Sequence, residues 1–587
     1  MKHFLSSLLA TIVGILIMTV VVILIFAGIV AASTSKEVPT VRENTLLVAK
    51  FNTPVPDRSD ENPFAQFISL TPGLGELMGL DQILNTLDKA EKDEHIKGIF
   101  LNLSSVPSGV VIIDEIRNAL LEFRESGKFI YAYGDMFTQG SYYLATAADS
   151  IFMTPEGLFL FNGLSAEATF YKKAMDRLGI EMQVIRHGSF KSANEPFTRE
   201  NLSDENREQI EAYVGAIWEK MIAGISERRN ISAGKLTQYA DELISLENDK
   251  LVEYGLIDGL IYYDEMLSLM KEKMGLAEEK DIESISIGRY KDVPLKKEKK
   301  EFTRDKIAVI YAMGTVVSGD MGEGYIGSDR IAKAIRKARK DKSVRAIVFR
   351  VNSGGGSMTA SDVIYREAKL AAEEKVFVAS MGDVAASGGY YIVAPADTIL
   401  ASPGTITGSI GVYASVPNFQ GLMNDKIGIT TDVVKTNRHA DMISVFNPLD
   451  AEEKAILQKN VDDAYETFLR VVSEGRNLSR DEVDAIGGGR VWSGKDAIDI
   501  GLIDLFGGLE RSIEVAAEMA NLDTYRIQSL PLLEDPLTLI MKQLTGDARM
   551  RMIRNELGDG YRYYQQLKDA GRMQGIQALM PFSLEIR

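Results

Sequence analysis

Val376-Phe377-Val378-Ala379-Ser380-Met381-Gly382-Asp383-Val384-Ala385-Ala386-Ser387-Gly388-Gly389-Tyr390-Tyr391 is the stretch that decides the fold. It opens as a short apolar strand, Val376 to Ser380, and turns through small residues into a helix near Ser387. The same pattern stands 248 positions earlier, where Phe129, Gly134, Asp135, Gly140, Tyr142 and Tyr143 match Phe377, Gly382, Asp383, Gly388, Tyr390 and Tyr391 without a gap. Working outward, Asp81, Ile83, Ala90, Lys92, Asp93, Ile99 and Ser105 recur as Asp329, Ile331, Ala338, Lys340, Asp341, Ile347 and Ser353. Ala148-Asp149 likewise recurs as Ala396-Asp397. A chain that repeats itself over such a span is a duplication, so its two copies read as two domains.

Each copy repeats helix, apolar strand, turn, helix and strand. In the second copy the pattern predicts a helix over Ser328 to Arg339, a strand over Ala346 to Val351, a helix over Ala360 to Glu373 and the strand from Val376. Helices alternating with apolar strands predict an α/β fold of parallel βαβ units with a buried sheet. The run Lys296-Lys297-Glu298-Lys299-Lys300 has no apolar period and reads as a solvated linker over 291–302, between domains at 45–290 and 303–535. The tail 536–587 carries a helical pattern and no recognisable chemistry.

Composition narrows the function. With 45% hydrophobic and 25% charged residues the 587-residue chain is globular, and a net charge of −17 repels a phosphate backbone, so nucleic acid is not expected as a partner. There is no cysteine, and the four histidines, His3, His95, His187 and His439, form no ligand set. No metal and no cofactor are expected. The uncharged run from Phe4 to Ser35, almost wholly apolar from Leu8 to Ala32, is long enough for a transmembrane helix, giving a cytoplasmic stub and anchor at 1–35 that meets the bilayer through residues 8–32. Small residues at Ala31, Ala32 and Ser33 leave a cleavage site open, and Lys2 against Lys36, Arg42 and Lys50 leaves the orientation undecided.

Two segments could carry chemistry. Asn352-Ser353-Gly354-Gly355-Gly356-Ser357 lies between a strand and a helix, where glycines can turn N–H groups toward an oxyanion; it also fits a plain tight turn. No Gly-Lys-[Ser/Thr] follows, which excludes a phosphate loop of the usual kind. Ser387 stands where a helix begins, so its hydroxyl suits either nucleophilic catalysis or a helix cap. The first copy separates these readings: it has Gln139 in place of Ser387 and Ser104-Ser105-Val106-Pro107-Ser108-Gly109 in place of the glycine loop, so the scaffold does not require either feature. That copy carries instead Arg186-His187-Gly188-Ser189-Phe190-Lys191-Ser192-Ala193-Asn194-Glu195-Pro196-Phe197, whereas the matching Thr436 to Asp441 has no lysine. Lys191 can serve as a base only if burial lowers its pKa, and His187 is the competing base.

Together these segments, with Thr407-Gly408-Ser409-Ile410-Gly411, resemble the signal peptide peptidase A (protease IV) family in its long, double-domain, membrane-anchored form. The resemblance implies tandem domains similar to crotonase and to the proteolytic subunit of the Clp protease. It implies a Ser-Lys dyad in which Ser387 is the nucleophile and Lys191 the general base, contributed from opposite halves. Gly388 with Gly355 or Gly356 would form the oxyanion hole, and Ser409 would orient the lysine. It further implies a membrane-bound serine endopeptidase that degrades hydrophobic peptides, remnant signal peptides above all. Such an enzyme would be a homotetramer in the bacterial inner membrane, with its catalytic domains facing the periplasm or outside. Two rivals are an acyl-CoA hydratase or isomerase of crotonase type, which also holds an oxyanion on backbone N–H groups, and a non-catalytic membrane scaffold.

Overall fold

The duplication in the sequence is a duplication of sheets. The structure, a computed structural model, describes residues 6–7, 10–21, 39–59, 78–294, 303–322, 324–533, 576–580 and 585–586. In the first half the strands Gly259–Leu260, Ser150–Phe159, Phe129–Phe137, Ile96–Asn102, Thr45–Ala49 and Ser284–Ser286 pair in that order, all parallel. The second half repeats the order with Leu505–Phe506, Thr398–Ala401, Val376–Ala386, Val344–Ser353, Lys306–Met313 and Arg526–Leu530. Parallel sheets covered on both faces need continuous apolar strands, and Ile347, Val348 and Phe349 are wholly buried in succession. Even the polar anchors recur. Tyr142 donates to the Leu256 carbonyl and Tyr390 to the Leu502 carbonyl, each at 2.8 Å, while Tyr143 and Tyr391 donate to Asp114 and Asp362.

Several elements run past their expected bounds. The helices span Ser328–Lys340 and Met358–Ala372, and the strand expected to end at Ser380 continues to Ala386, directly before the serine. The added residues pair with Ile406–Gly408, a partner far off in sequence that local pattern could not supply. The glycine loop is likewise a short strand, Gly355–Ser357.

That short strand belongs to a mixed sheet built by both halves, in the order Tyr325–Gly327, Thr315–Val317, Gly355–Ser357, Ile576–Leu579, Tyr413–Asn418 and Glu181–Arg186. Here the first half reaches into the second, because Glu181–Arg186 pairs antiparallel with Tyr413–Asn418. The tail, in which the sequence showed no chemistry, supplies Ile576–Leu579. Residues 295–302 of the linker and 534–575 of the tail lie outside the described residues. So does most of the expected anchor: residues 10–21 are helical and exposed, and among the described residues no helix is long and apolar enough to cross a membrane.

A buried ion cluster also joins the halves. Arg350, wholly inaccessible, donates to Asp57 at 2.7 Å and Glu115 at 2.6 Å, and to Ser380 Oγ and the Met381 carbonyl at 3.1 Å each. Asn352 donates to Asp57 at 2.8 Å and accepts from the Val384 N–H at 3.2 Å. The strands that lead to the glycine loop and to Ser387 are thereby tied to one another and to the first half. Removing the cation would leave two carboxylates buried and unpaired, which costs about 3–5 kcal/mol. Arg350→Ala should therefore lower the denaturant midpoint by that equivalent; a change under about 1 kcal/mol would show the cluster to be dispensable.

Candidate active site

Ser387 follows the long strand and stands at the N-cap of the helix Gly388–Val393, but its hydroxyl makes no capping bond. The helix-cap reading therefore fails. The backbone there has φ 56° and ψ −118°, outside the regions open to ordinary residues, so a strained turn presents the side chain. The strain is held by the Ser387 N–H, which donates to the Gly408 carbonyl at 2.7 Å.

Lys191 arrives from the other half. Once Glu181–Arg186 has paired with Tyr413–Asn418, the chain runs on through Gly188 and Phe190, whose N–H donates to the Gly488 carbonyl at 3.2 Å. Gln209, on the helix Asp204–Arg229, donates to Ser192 Oγ at 3.0 Å and accepts from the Val491 N–H at 3.0 Å, clamping the lysine segment to the second half. The stem lies against glycine because nothing larger fits. A Cβ on Gly489, whose φ is +86°, would come within 2.6 Å of Lys191 Cβ, and one on Gly411 within 3.3 Å of its Cδ.

Across the seam Lys191 Nζ lies 2.7 Å from Ser387 Oγ, 3.1 Å from Ser409 Oγ and 3.1 Å from the Ser409 carbonyl. Ser387, Lys191 and Ser409 are all inaccessible to solvent. Burial pushes the Lys191 pKa well below the ordinary lysine value, with no other cause contributing. A neutral amine accepts the serine proton through its lone pair, while the ammonium has none to offer. Ser409, expected to orient the lysine, meets its amine with both hydroxyl and carbonyl.

The oxyanion candidates divide. Gly388 follows the serine and packs on Gly355, since a Cβ on Gly355 would come within 2.6 Å of the Gly388 nitrogen. The Gly355 N–H, however, donates to Ser353 Oγ at 3.1 Å, so of the two loop glycines Gly356 is the better donor toward a substrate. His187 is drawn away: its Nδ1 lies 2.8 Å from Asp462 and its ring stacks on Tyr465 at 4.0 Å between centroids. Among the described residues no cluster of three or more His, Asp or Glu side chains could hold a metal.

Comparison with known proteins gives the family. The model of "Peptidase family S49" matches residues 122–277 and again 369–523, once in each copy. The chain belongs to peptidase family S49. It is a serine peptidase. "Protease 4" of Salmonella typhi is 35% identical over 480 residues, covering 80% of this chain and 76% of that protein. "Serine protease SPPA, chloroplastic" of Arabidopsis thaliana is 34% identical, covering 80% and 70%. A solved structure, that of a ClpP1 mutant from Listeria monocytogenes, covers 35% of this chain and 94% of its own at 16% identity, with a TM-score of 0.24, too slight a likeness to argue from.

Within the S49 pair the first copy is closed. Gln139, in the place of the serine, accepts from the Asn162 and Gly163 N–H groups at 3.1 and 2.6 Å and donates to the Gly163 carbonyl at 2.6 Å. The sequence reading missed Gly487-Gly488-Gly489 as part of the site, although three glycines in a row before Arg490-Val491-Trp492 signalled close backbone packing.

Two outcomes follow. Lys191→Met should abolish activity yet raise stability at neutral pH. Between its folded and unfolded pKa values the lysine is neutral when folded and protonated when unfolded, so wild-type stability rises with pH there by up to about 1.4 kcal/mol per unit. The advantage of the Met variant should therefore shrink as pH approaches about 10, the ordinary lysine value; a constant difference would mean that Lys191 is charged in the folded protein. Gly489→Ala must displace the lysine backbone and should lower kcat roughly 100-fold, against little change if the seam has slack.

Proposed function

We propose that this S49 peptidase is an endopeptidase working through a Ser-Lys dyad, with Ser387 as nucleophile and Lys191 as general base. The observation that carries it is a lysine amine, buried without a carboxylate, 2.7 Å from a serine hydroxyl on a strained turn. Ser387 Oγ attacks a peptide carbonyl as its proton passes to Lys191, which then protonates the leaving amine; water hydrolyses the acyl-enzyme by the same route. Gly388 and Gly356 N–H groups hold the oxyanion. Crotonase chemistry has no need of a lysine aimed at a serine, and a scaffold has no need of either.

The substrate class is hydrophobic peptides at a membrane, of which remnant signal peptides are the foremost. A relative from Enterococcus faecium named "Putative signal peptide peptidase SppA", 36% identical over 181 residues, supports this reading. Residues 8–32 form the anchor, supported by their composition and by the exposure of Ile12, Ile15, Leu16 and Met18 on a helix that packs on nothing described. The N-terminus is cytoplasmic, the catalytic halves face the periplasm or outside of a bacterial inner membrane, and the enzyme is a homotetramer.

Ser387→Ala should lower kcat on a hydrophobic peptide by roughly four orders of magnitude with the fold intact, and should remove labelling by a fluorophosphonate. The wild-type rate should rise with pH through the depressed lysine pKa and be lost in Lys191→Arg, since a guanidinium stays protonated. Full turnover in Lys191→Arg would place the base elsewhere, and His187→Gln identifies it if that variant alone is dead.

A further inference from the structure

The helix Ala451–Arg476 of the second half grips the lysine segment of the first from outside the site. Gln458 donates to the Arg186 carbonyl at 3.4 Å, Asp462 lies 2.8 Å from His187 Nδ1, and the Tyr465 ring stacks on the His187 ring with 21° between their planes. Positions 458, 462 and 465 share one helix face because they are spaced by four and by three residues. What they hold is the stretch of chain just before Lys191.

Tyr465 does more than stack. Its side chain is buried, and its hydroxyl accepts from the Gly488 N–H at 2.9 Å while donating to Asp484 Oδ1 at 2.6 Å. The bond to Asp484 commits the phenol proton, which turns an oxygen lone pair toward Gly488. Gly488 is thereby held by its N–H, and its carbonyl receives the Phe190 N–H at 3.2 Å. The next glycine, Gly489, donates to the Ile410 carbonyl at 2.7 Å and lies against the Lys191 stem, while its own carbonyl accepts from Ser409 Oγ at 3.4 Å. One phenol oxygen fixes the glycine run that walls the amine, and the ring on the same side chain fixes the approach of the segment that carries it.

We infer that Tyr465 is a positioning residue for the reaction: with its hydroxyl on Gly488 and its ring on His187 it keeps Gly487-Gly488-Gly489 closed on Lys191, and so keeps water from the amine. The inference rests on the dyad reading above. Tyr465 acts through Gly488 and not on the reacting atoms. Without the hydroxyl the Gly488 N–H loses its acceptor in a partly buried place, and glycine is the residue with the most backbone freedom to respond. As the wall backs away, water reaches the amine, the desolvation that depresses its pKa weakens, and more of the enzyme carries an ammonium that cannot take the serine proton. The phenol does not itself titrate in the working range, because burial and the Asp484 carboxylate push its pKa up. The other titratable groups on this face, His187 with Asp462 and Glu466, and Asp484 with Arg480, are unchanged in Tyr465→Phe.

The test is the pH–rate profile of the full chain on a hydrophobic peptide, wild type beside Tyr465→Phe, with denaturant unfolding of the same samples. Phenylalanine keeps the ring on His187 and removes only the hydroxyl. At neutral pH its kcat should fall about tenfold with KM within about twofold, and the midpoint of the profile should rise by about one pH unit, so that the two rates meet above it. A loss of stability with an unmoved midpoint makes Tyr465 purely structural and overturns the inference, as does a fall in kcat of the same size at every pH. Where Tyr465→Phe does not fold, Asp484→Ala reads the same bond from its partly exposed end: it frees the phenol proton to turn toward Gly488 and should raise the midpoint in the same direction, and an unmoved midpoint there overturns the inference too. A wild type whose rate does not change with pH, or that cleaves no peptide, overturns the dyad reading and this inference together.

Discussion

Burial of the Lys191 amine at the seam between the two halves is the constraint on which the rest of the structure depends. An ammonium in water has a pKa about three units above neutrality, and only the loss of water around it brings the lone pair within reach of a serine proton. Here desolvation acts alone, without a neighbouring cation or carboxylate to tune it. Neither half could supply that dryness by itself. The lysine lies on a segment of the first half, and the groups that surround its amine, Ser387 and Ser409, belong to the second.

The means of excluding water is close approach of backbone, bought with glycine. Gly188 meets the carbonyl of Gly488, Gly489 meets the lysine stem, and a side chain at any of these would force the seam open. The Arg350 cluster supports the arrangement from below, since it ties the strand ends that carry the glycine loop and the serine to Asp57 and Glu115 of the first half. A buried ion cluster adds little net stability but penalises any displacement of its members. That suits a site whose function depends on tenths of an ångström.

The sequence made the duplication legible because both copies keep the residues that pack the same sheet, down to the paired tyrosines. Ser387 and Lys191 stood out as candidates through their absence from the opposite copy, a contrast the chain carries within itself. What could not be read was long-range pairing. The extension of the serine's strand to Ala386 needs Ile406–Gly408, and the conversion of the glycine loop into a strand needs Ile576–Leu579. Arg350, inside an apolar strand, carried no local sign of its role, because its partners lie 293 and 235 positions away. The resemblance left Gly355 and Gly356 as alternatives for the oxyanion, and the bond between the Gly355 N–H and the Ser353 hydroxyl could not be read from the sequence.

The most direct measurement is the titration of Lys191 itself, followed by the chemical shift of its 13C-labelled Cε in the Ser387→Ala protein, with Lys191→Arg to assign the signal. A midpoint well below the free-lysine value of about 10.4 is the predicted result. A midpoint at or above that value would mean a charged lysine in the folded site, and would contradict the account.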